Sequence, residues 1–77
     1  MHSDEQQDPS YILVAFGKHL AHIRKDHGWS QEKLALESGI ARSYLSGVER
    51  GQRNIALLNI YRLATTLGIR PEELLKF

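Results

Sequence analysis

The sequence of 77 residues contains no cysteine. A disulfide framework, a thiolate metal site and a cysteine nucleophile are therefore excluded. The longest uninterrupted apolar run, residues 11–16, is far shorter than the roughly 20 residues that a membrane-spanning helix needs. The first ten residues carry three acids and no lysine or arginine, unlike the basic start of a signal peptide. We therefore expect a cytoplasmic protein with no membrane partner.

The sequence also has almost no excess charge, because its formal net charge is only +1. This value combines an acidic start with a surplus of bases later in the chain, since residues 11–77 carry ten bases and six acids. Such a mildly basic domain permits a polyanionic partner without requiring one. We expect residues 1–8 to form a flexible acidic tail and residues 9–77 to form one small domain, since a chain this short has room for a single core.

Proline is absent between Pro9 and Pro71, whereas glycine recurs at positions 28, 39, 51 and 68. Glycine supplies the positive φ that ends a helix, so this spacing predicts an all-α, compact five-helix bundle. Asp8 is suited to cap the first helix, with Pro9 at its first position. Ser30 is suited to cap the second helix. The predicted helices span approximately residues 9–27, 31–38, 42–50, 56–67 and 71 onward.

The first predicted helix carries an apolar stripe at helical period. Ile12, Phe16, Leu20 and Ile23 fall within an arc of about 80°, so we expect all four to face the core. Gly17 lies inside this helix, where glycine costs about 1 kcal/mol relative to alanine. We therefore expect a neighbouring helix to pass close to Gly17.

Residues 31–50 have the spacing of two helices joined by a tight turn. Ala35 is the small residue required where the helices cross, and Gly39 is the turn glycine. The inward positions are all apolar: Leu34, Ile40, Leu45 and Val48. An arbitrary pair of amphipathic helices would meet fewer of these constraints, so the pattern predicts a helix-turn-helix.

The second helix of this motif has one free face. At about 100° per residue, Arg42, Ser43, Ser46 and Arg50 share that face and the inward residues lie opposite. A guanidinium group can make a bidentate bond to guanine in the major groove, and serine can bond to bases or phosphates. Tyr44 flanks the buried side, where it either reaches the nucleic acid or serves as a half-buried packing residue. The alternative for the arginines is a solvated face with no partner.

The run from Trp29 to Asn54, with Ser-Gln-Glu opening one helix and Val-Glu-Arg-Gly closing the next, resembles the Cro/CI-type (Xre) helix-turn-helix family of bacterial and phage transcription regulators. Within this family, the segment Ala-Arg-Ser-Tyr-Leu-Ser-Gly-Val-Glu-Arg-Gly-Gln-Arg-Asn-Ile looks most like the controller proteins of restriction-modification systems. The resemblance covers about residues 11–75. It implies a lambda-repressor-like DNA-binding domain that works at the bacterial nucleoid, with double-stranded DNA as its partner.

The resemblance also implies roles for individual residues. The base-reading positions are matched by Arg42, Ser43, Tyr44 and Ser46. The phosphate-binding positions are matched by Gln31, Arg50, Arg53 and Asn54. Gln31 can in addition support a side chain of the recognition helix. Ala41 departs from the family pattern, because many relatives have a capping serine, threonine or aspartate there, and this weakens the cap of the recognition helix.

Arg24 and Glu49 match two positions that are paired in the family. Such an ion pair would tie the first helix to the recognition helix. It would also neutralise a carboxylate that otherwise repels DNA. Our hypothesis is that this pair is structural.

Neither a metal site nor a catalytic site is expected. His19 and His22 lie three residues apart on one helix, but no acid or cysteine completes a ligand set. An enzyme would need a nucleophile with a base, or paired carboxylates in a cleft, and neither is present. Glu72 and Glu73 are better explained as first-turn acids of the last helix. We expect no cofactor, no metal and no enzyme activity.

The fourth predicted helix is more apolar than one core requires. The inward arc consists of Leu57, Ile60, Leu63, Ala64 and Leu67. A second patch, which we predict to be a dimer interface, consists of Leu58, Tyr61 and Thr65, completed by Leu75 or Phe77. The alternative is chance surface apolarity.

A dimer is favoured because one short helix reads too few bases. Two or three good base contacts at about 1–3 kcal/mol each fall short of the upper part of the roughly 4–10 kcal/mol of discrimination that specific binders reach. The expected target is a pseudo-palindrome with half-sites about one helical turn apart.

The sequence thus predicts a homodimeric, sequence-specific transcription regulator, of the controller type and autoregulatory. RNA polymerase is a further candidate partner. Within the same family, an antitoxin or a phage-type repressor is the alternative. From another class, the alternative is a protein-interaction module that uses Leu58 and Tyr61 instead of binding DNA.

Overall fold

The structure, a computed structural model, describes residues 9–77. Over this range the fold is all-helical, with four α-helices, one 3-10 helix and no strand. The elements are α1 (Ser10–Asp26), α2 (Gln31–Ser38), α3 (Arg42–Glu49), α4 (Leu57–Leu67) and the 3-10 helix (Pro71–Leu75). The all-α prediction is confirmed, whereas the count of five α-helices was wrong. The predicted acidic tail, 1–8, and the predicted cap Asp8 lie outside the described residues.

The last element is a 3-10 helix, the geometry usual for very short helical segments. A five-residue segment has little room for the i→i−4 ladder of an α-helix. Its first hydrogen bond runs from Glu73 N to Arg70 O at 2.9 Å, three residues back. The pKa of the Glu72 carboxyl is lowered by a hydrogen bond from the backbone N–H of the same residue and by the guanidinium of Arg70, 2.7 Å away.

Three helix ends lie where the sequence predicted them. Ser30 Oγ accepts a hydrogen bond from Lys33 N at 3.0 Å and so caps α2. Gly39 (φ 75°) and Gly68 (φ 74°) end α2 and α4 in the left-handed conformation. Pro9 occupies the N-cap of α1, one position earlier than predicted.

The core draws on every element. Leu20, Leu34 and Leu63 are completely buried, and Leu74 anchors the 3-10 helix to the same cluster. All the inward residues predicted for the helix-turn-helix lie in this core. The full set is Phe16, Leu20, Leu34, Ala35, Ile40, Leu45, Val48, Ile60, Leu63, Ala64, Leu67 and Leu74.

Two predicted core residues are exposed instead. Ile12 is 43% exposed and Leu57 is 65% exposed. Both lie in the first turn of their helices, and helical side chains point toward the N-terminus. A side chain at the start of a helix therefore projects beyond the surface that the rest of the helix packs against. Periodicity alone cannot show where the neighbouring helices stop.

Gly17 lies where α1 meets the end of α3. A Cβ at this position would be 2.8 Å from the carbonyl carbon of Glu49 and would also strike the carbonyl oxygen of Val48. The predicted close approach of a neighbouring helix is confirmed. None of the helices in the described part of the chain has the length and apolarity needed to cross a membrane.

Candidate nucleic-acid interface

A buried ion pair holds α3 against α1. Arg24 donates from Nε and Nη2 to the two carboxylate oxygens of Glu49, at 2.7 and 2.9 Å. The two side chains are only 9% and 5% exposed. Arg24 Nη1 also donates to the carbonyl oxygen of Trp29 at 2.9 Å. The structure thus brings together the pair proposed to be structural, and the charge of Glu49 is neutralised inside the protein.

Gln31 adds a third donor to the same carboxylate. Its Nε2 lies 2.8 Å from Glu49 Oε1, so the first residue of α2 is joined to the last residue of α3. This contact is the support of a recognition-helix side chain that the family resemblance implied. A contact between Gln31 and a DNA phosphate stays a prediction.

The opposite side of α3 is open. Arg42 and Ser43 are exposed, and Ser46 lies on the same side, half-buried. Within residues 9–77, the side chains of Arg42 and Ser43 make no hydrogen bond or ion pair, so their donors are available to a partner. Ala41 is the N-cap of α3 and makes no side-chain cap hydrogen bond, consistent with the weak cap expected for alanine.

Tyr44 has a structural role in the folded chain. Its hydroxyl oxygen accepts a hydrogen bond from Ala56 N at 3.2 Å, at the N-cap of α4. The guanidinium carbon of Arg53 lies 5.8 Å from the centroid of its ring. Of the two interpretations left open by the sequence, half-buried packing accounts for these contacts. Base reading by Tyr44 stays a prediction, and the hydroxyl hydrogen has no acceptor among the described residues.

The chain leaves α3 through a Schellman turn. Gly51 (φ 76°) donates from N to Val48 O at 3.0 Å, and Gln52 N donates to Gly47 O at 2.9 Å. These are the two hydrogen bonds that define this type of helix end. A Cβ at Gly51 would be 2.7 Å from Val14 Cα, so α1 passes directly beside the turn. The turn fixes the start of the loop that carries the remaining predicted phosphate-binding residues, which are exposed: Arg50, Arg53 and Asn54.

Gln52 and Gly47, which the sequence analysis did not single out, position Arg50 and Arg53. Arg50 donates from Nε and Nη2 to Gln52 Oε1 at 3.3 and 3.2 Å, and from Nη1 to Ser46 Oγ. Arg53 crosses α3 at Gly47, where a Cβ would be 2.8 Å from Arg53 Cγ. A glycine inside a short helix is a signal of close approach that could have been used for Gly47. No local signal marks Gln52.

The electrostatics of this surface favour an anion. α3 contains one carboxylate, that of Glu49, and it is paired internally. The guanidinium groups of Arg42, Arg50 and Arg53 all lie on exposed residues of α3 and the loop after it. Guanidinium groups bind phosphate oxygens and the guanine edge, so the surface is suited to a DNA duplex.

The second patch of α4 is exposed. Leu58 is 68% exposed, Tyr61 is 53% exposed, and Thr65 lies on the surface. Leu75 is also exposed. Phe77 differs from the others, because its ring centroid lies 5.8 Å from that of Phe16 in a T-shaped contact. Phe77 therefore packs partly against its own α1.

His19 and His22, both on α1, make local contacts. His19 Nε2 is hydrogen-bonded to the carbonyl oxygen of Glu73 at 2.7 Å, which joins α1 to the 3-10 helix. His22 Nε2 lies 3.3 Å from a carboxylate oxygen of Asp26, one turn further along α1. Among residues 9–77 no three potential ligands are grouped in a way that could hold a metal ion.

A short exposed helix, braced by a buried ion pair against the helices before it, is the arrangement of a helix-turn-helix. Residues 20–74 match the family model described as helix-turn-helix, and the chain belongs to this family, in its Cro/CI (Xre) type.

Several relatives are controller proteins. The chain is 43% identical over 67 residues to control protein C.BamHI of Bacillus amyloliquefaciens, which covers 86% of this chain and 83% of that protein. The structure of this chain is similar to the crystal structure of the restriction-modification controller protein C.AhdI from Aeromonas hydrophila, with a TM-score of 0.85. The two sequences are 54% identical, and the match covers 88% of this chain and 99% of that one. The structure of this chain is also similar to SinR, the master regulator for biofilm formation, in complex with DNA, with a TM-score of 0.75 and 31% identity over 79% of this chain and 98% of that one.

Proposed function

We propose that this chain is a sequence-specific DNA-binding transcription regulator of the restriction-modification controller type, with α3 as its recognition helix. The observation that carries the proposal is the state of Arg42 and Ser43. Both residues are exposed at the start of α3, and their side chains have no polar partner within residues 9–77. The one carboxylate of α3, that of Glu49, is neutralised by Arg24 inside the protein. The relatives named as controller proteins support the same assignment.

The contacts divide into two groups. Bases in the major groove are read by Arg42, Ser43, Tyr44 and Ser46. Phosphates are held by Gln31, Arg50, Arg53 and Asn54. The exposed positions of the loop arginines beside α3 support this division, since a helix in the major groove brings the loop after it close to the DNA backbone.

The active form in this proposal is a homodimer. The exposed patch of Leu58, Tyr61 and Thr65 supports an isologous contact, with Leu75 and Phe77 at its edge. Doubling the recognition helix across a two-fold axis gives a pseudo-palindromic operator. The protein then works at the bacterial nucleoid, regulating its own promoter by blocking or recruiting RNA polymerase.

The test begins with selection of binding sites from a random DNA pool. Binding of the selected duplex and of a scrambled duplex is then measured by fluorescence anisotropy at several salt concentrations. We expect the selected site to bind about 10³-fold or more tightly than the scrambled one. Equal affinity for both duplexes would contradict the proposal.

A gel shift with random duplex at low salt distinguishes the DNA-binding proposal from a protein-interaction module. The exposure of Leu58 and Tyr61 also suits a protein-interaction module that does not bind DNA. Retardation of the random duplex supports the DNA-binding proposal, and its absence favours the interaction module. The antitoxin and phage-repressor alternatives share the DNA-binding surface and would retard the duplex as well.

A further inference from the structure

The hydroxyl of Ser46 is held in one hydrogen-bonding state. Its oxygen accepts a hydrogen bond from Arg50 Nη1. A serine hydroxyl has one hydrogen, and that hydrogen cannot point toward a guanidinium N–H that is itself a donor. The hydrogen of Ser46 is therefore directed away from Arg50.

No group inside the described chain takes up this hydrogen. Thr66 shows the usual alternative, because its hydroxyl donates to the carbonyl oxygen of Arg62 one turn earlier at 2.9 Å. Ser46 makes no corresponding bond to Arg42, and no other acceptor within residues 9–77 is bonded to it. Ser46 thus offers a free donor on the same side of α3 as Arg42. A neighbouring cation that donates to the hydroxyl oxygen also makes the hydroxyl a better donor.

Gln52 keeps Arg50 in the position that this arrangement needs. The amide oxygen of Gln52 accepts from Nε and Nη2 of Arg50, which leaves Nη1 for Ser46. The backbone of Gln52 is itself fixed, since its N–H closes the Schellman turn on Gly47 O at 2.9 Å. The Schellman turn therefore fixes the backbone of Gln52, the Gln52 amide holds the guanidinium of Arg50, and Arg50 donates to the Ser46 hydroxyl.

We infer that Ser46 reads its base as an obligate hydrogen-bond donor, and that Gln52 is a positioning residue that maintains this state through Arg50. The inference rests on the proposed DNA-binding function. Guanine presents two acceptors in the major groove, whereas cytosine presents an amino donor. Adenine N7 and thymine O4 each offer one acceptor. The base that faces Ser46 is therefore best as guanine, which offers two acceptors, and worst as cytosine, which offers none.

The experiment compares all four base pairs at every position of the selected half-site by competition binding. The proteins are the wild type, Ser46→Ala, Gln52→Ala and Gln52→Glu. In the wild type we expect one position that prefers guanine over cytosine by about tenfold, the upper range for one hydrogen bond. Ser46→Ala abolishes the preference at this position alone, and Gln52→Ala reduces it by about threefold.

Two comparisons separate positioning from a general structural role. Gln52→Glu retains the preference, because a carboxylate accepts the same two N–H bonds from Arg50, although its charge lowers affinity for every duplex. Asn59→Ala is the matched control, since Asn59 Oδ1 accepts from Arg62 Nη1 at 3.0 Å in a similar arginine–amide pair on α4. We expect this control to leave all base preferences unchanged. Circular dichroism verifies that each variant is folded.

The outcomes are distinguishable. A Ser46-dependent preference for cytosine overturns the donor assignment. If Gln52→Ala leaves the preference intact, or lowers affinity for all four base pairs equally, its positioning role is overturned. If the random pool yields no consensus at all, the proposed function fails and this inference fails with it.

Discussion

At the scale of single residues, Glu49 shows how the fold tolerates an acid on a DNA-binding helix. Its carboxylate takes three hydrogen bonds, from Arg24 and Gln31, inside the protein. We predict that Glu49→Gln lowers the free energy of unfolding by about 3–5 kcal/mol, because it leaves the buried guanidinium of Arg24 without a counter-charge. Urea denaturation measures this, with the exposed Glu37→Gln as the control. Tighter DNA binding by Glu49→Gln at unchanged stability would show that the carboxylate is not structural.

Arg42 and Arg53 are expected to contribute differently to binding. Arg42 is free at the start of α3, so Arg42→Ala should lose binding to the selected operator while binding to scrambled DNA changes little. Arg53 is placed for phosphate contact, so Arg53→Ala should weaken binding to every duplex and reduce the salt slope by about one. Anisotropy titrations between low and high salt measure both effects. Arg70→Ala, which removes an exposed arginine paired with Glu72, is the matched control. Identical losses on both duplexes for both variants would refute the division.

At the scale of the secondary-structure elements, two glycines allow a matched test of close packing. Gly17→Ala should destabilise the fold by about 1–3 kcal/mol, because its Cβ would meet the backbone of α3, which cannot yield. Gly47→Ala meets only the flexible side chain of Arg53, and alanine raises helix propensity by about 1 kcal/mol. We predict that Gly47→Ala keeps or raises the melting temperature while it weakens DNA binding by displacing Arg53. A melting temperature of Gly17→Ala equal to that of wild type would show that the α1–α3 contact can adjust.

The sequence is a good guide to elements that are encoded locally. A capping hydroxyl at Ser30 and left-handed glycines at 39 and 68 act within their own turn, and the structure has them where they were predicted. The 3-10 geometry of Pro71–Leu75 was not predictable from composition, because a proline followed by acids suits either kind of helix start. The burial of Leu74, which depends on distant α-helices, fixes that segment instead.

The sequence is a poorer guide to contacts between side chains. The pair of Arg24 and Glu49 came from the family resemblance rather than from any pattern of residues. The hydrogen bond from Ala56 N to the Tyr44 hydroxyl and the contact of Arg50 with Gln52 depend on how a loop folds back. Local propensity carries no information about such placement, so these two contacts emerged only from the structure.

At the scale of the whole molecule, the proposed DNA-binding surface and the proposed dimer patch are carried by separate helices. α3 packs on α1 and α2, whereas α4 packs on α2 and the 3-10 helix. The core helix α2 thus connects the recognition helix to the helix that carries the exposed patch. A second copy docked on α4 therefore need not cover α3, which is the condition for a dimer that binds DNA with both recognition helices.

A charge placed in the α4 patch should separate association from folding. Tyr61 is more than half exposed, so Tyr61→Glu removes little from the core, but in an isologous contact it sets two carboxylates in an apolar interface. We predict a monomer by analytical ultracentrifugation at concentrations where the wild type is a dimer, with an unchanged helical spectrum. Operator affinity should fall steeply, while binding to an isolated half-site is retained. Tyr11→Glu, a similar change at an exposed tyrosine of α1, should leave the sedimentation coefficient at the wild-type value. A Tyr61→Glu protein that still sediments as a dimer would place the association surface elsewhere on the molecule.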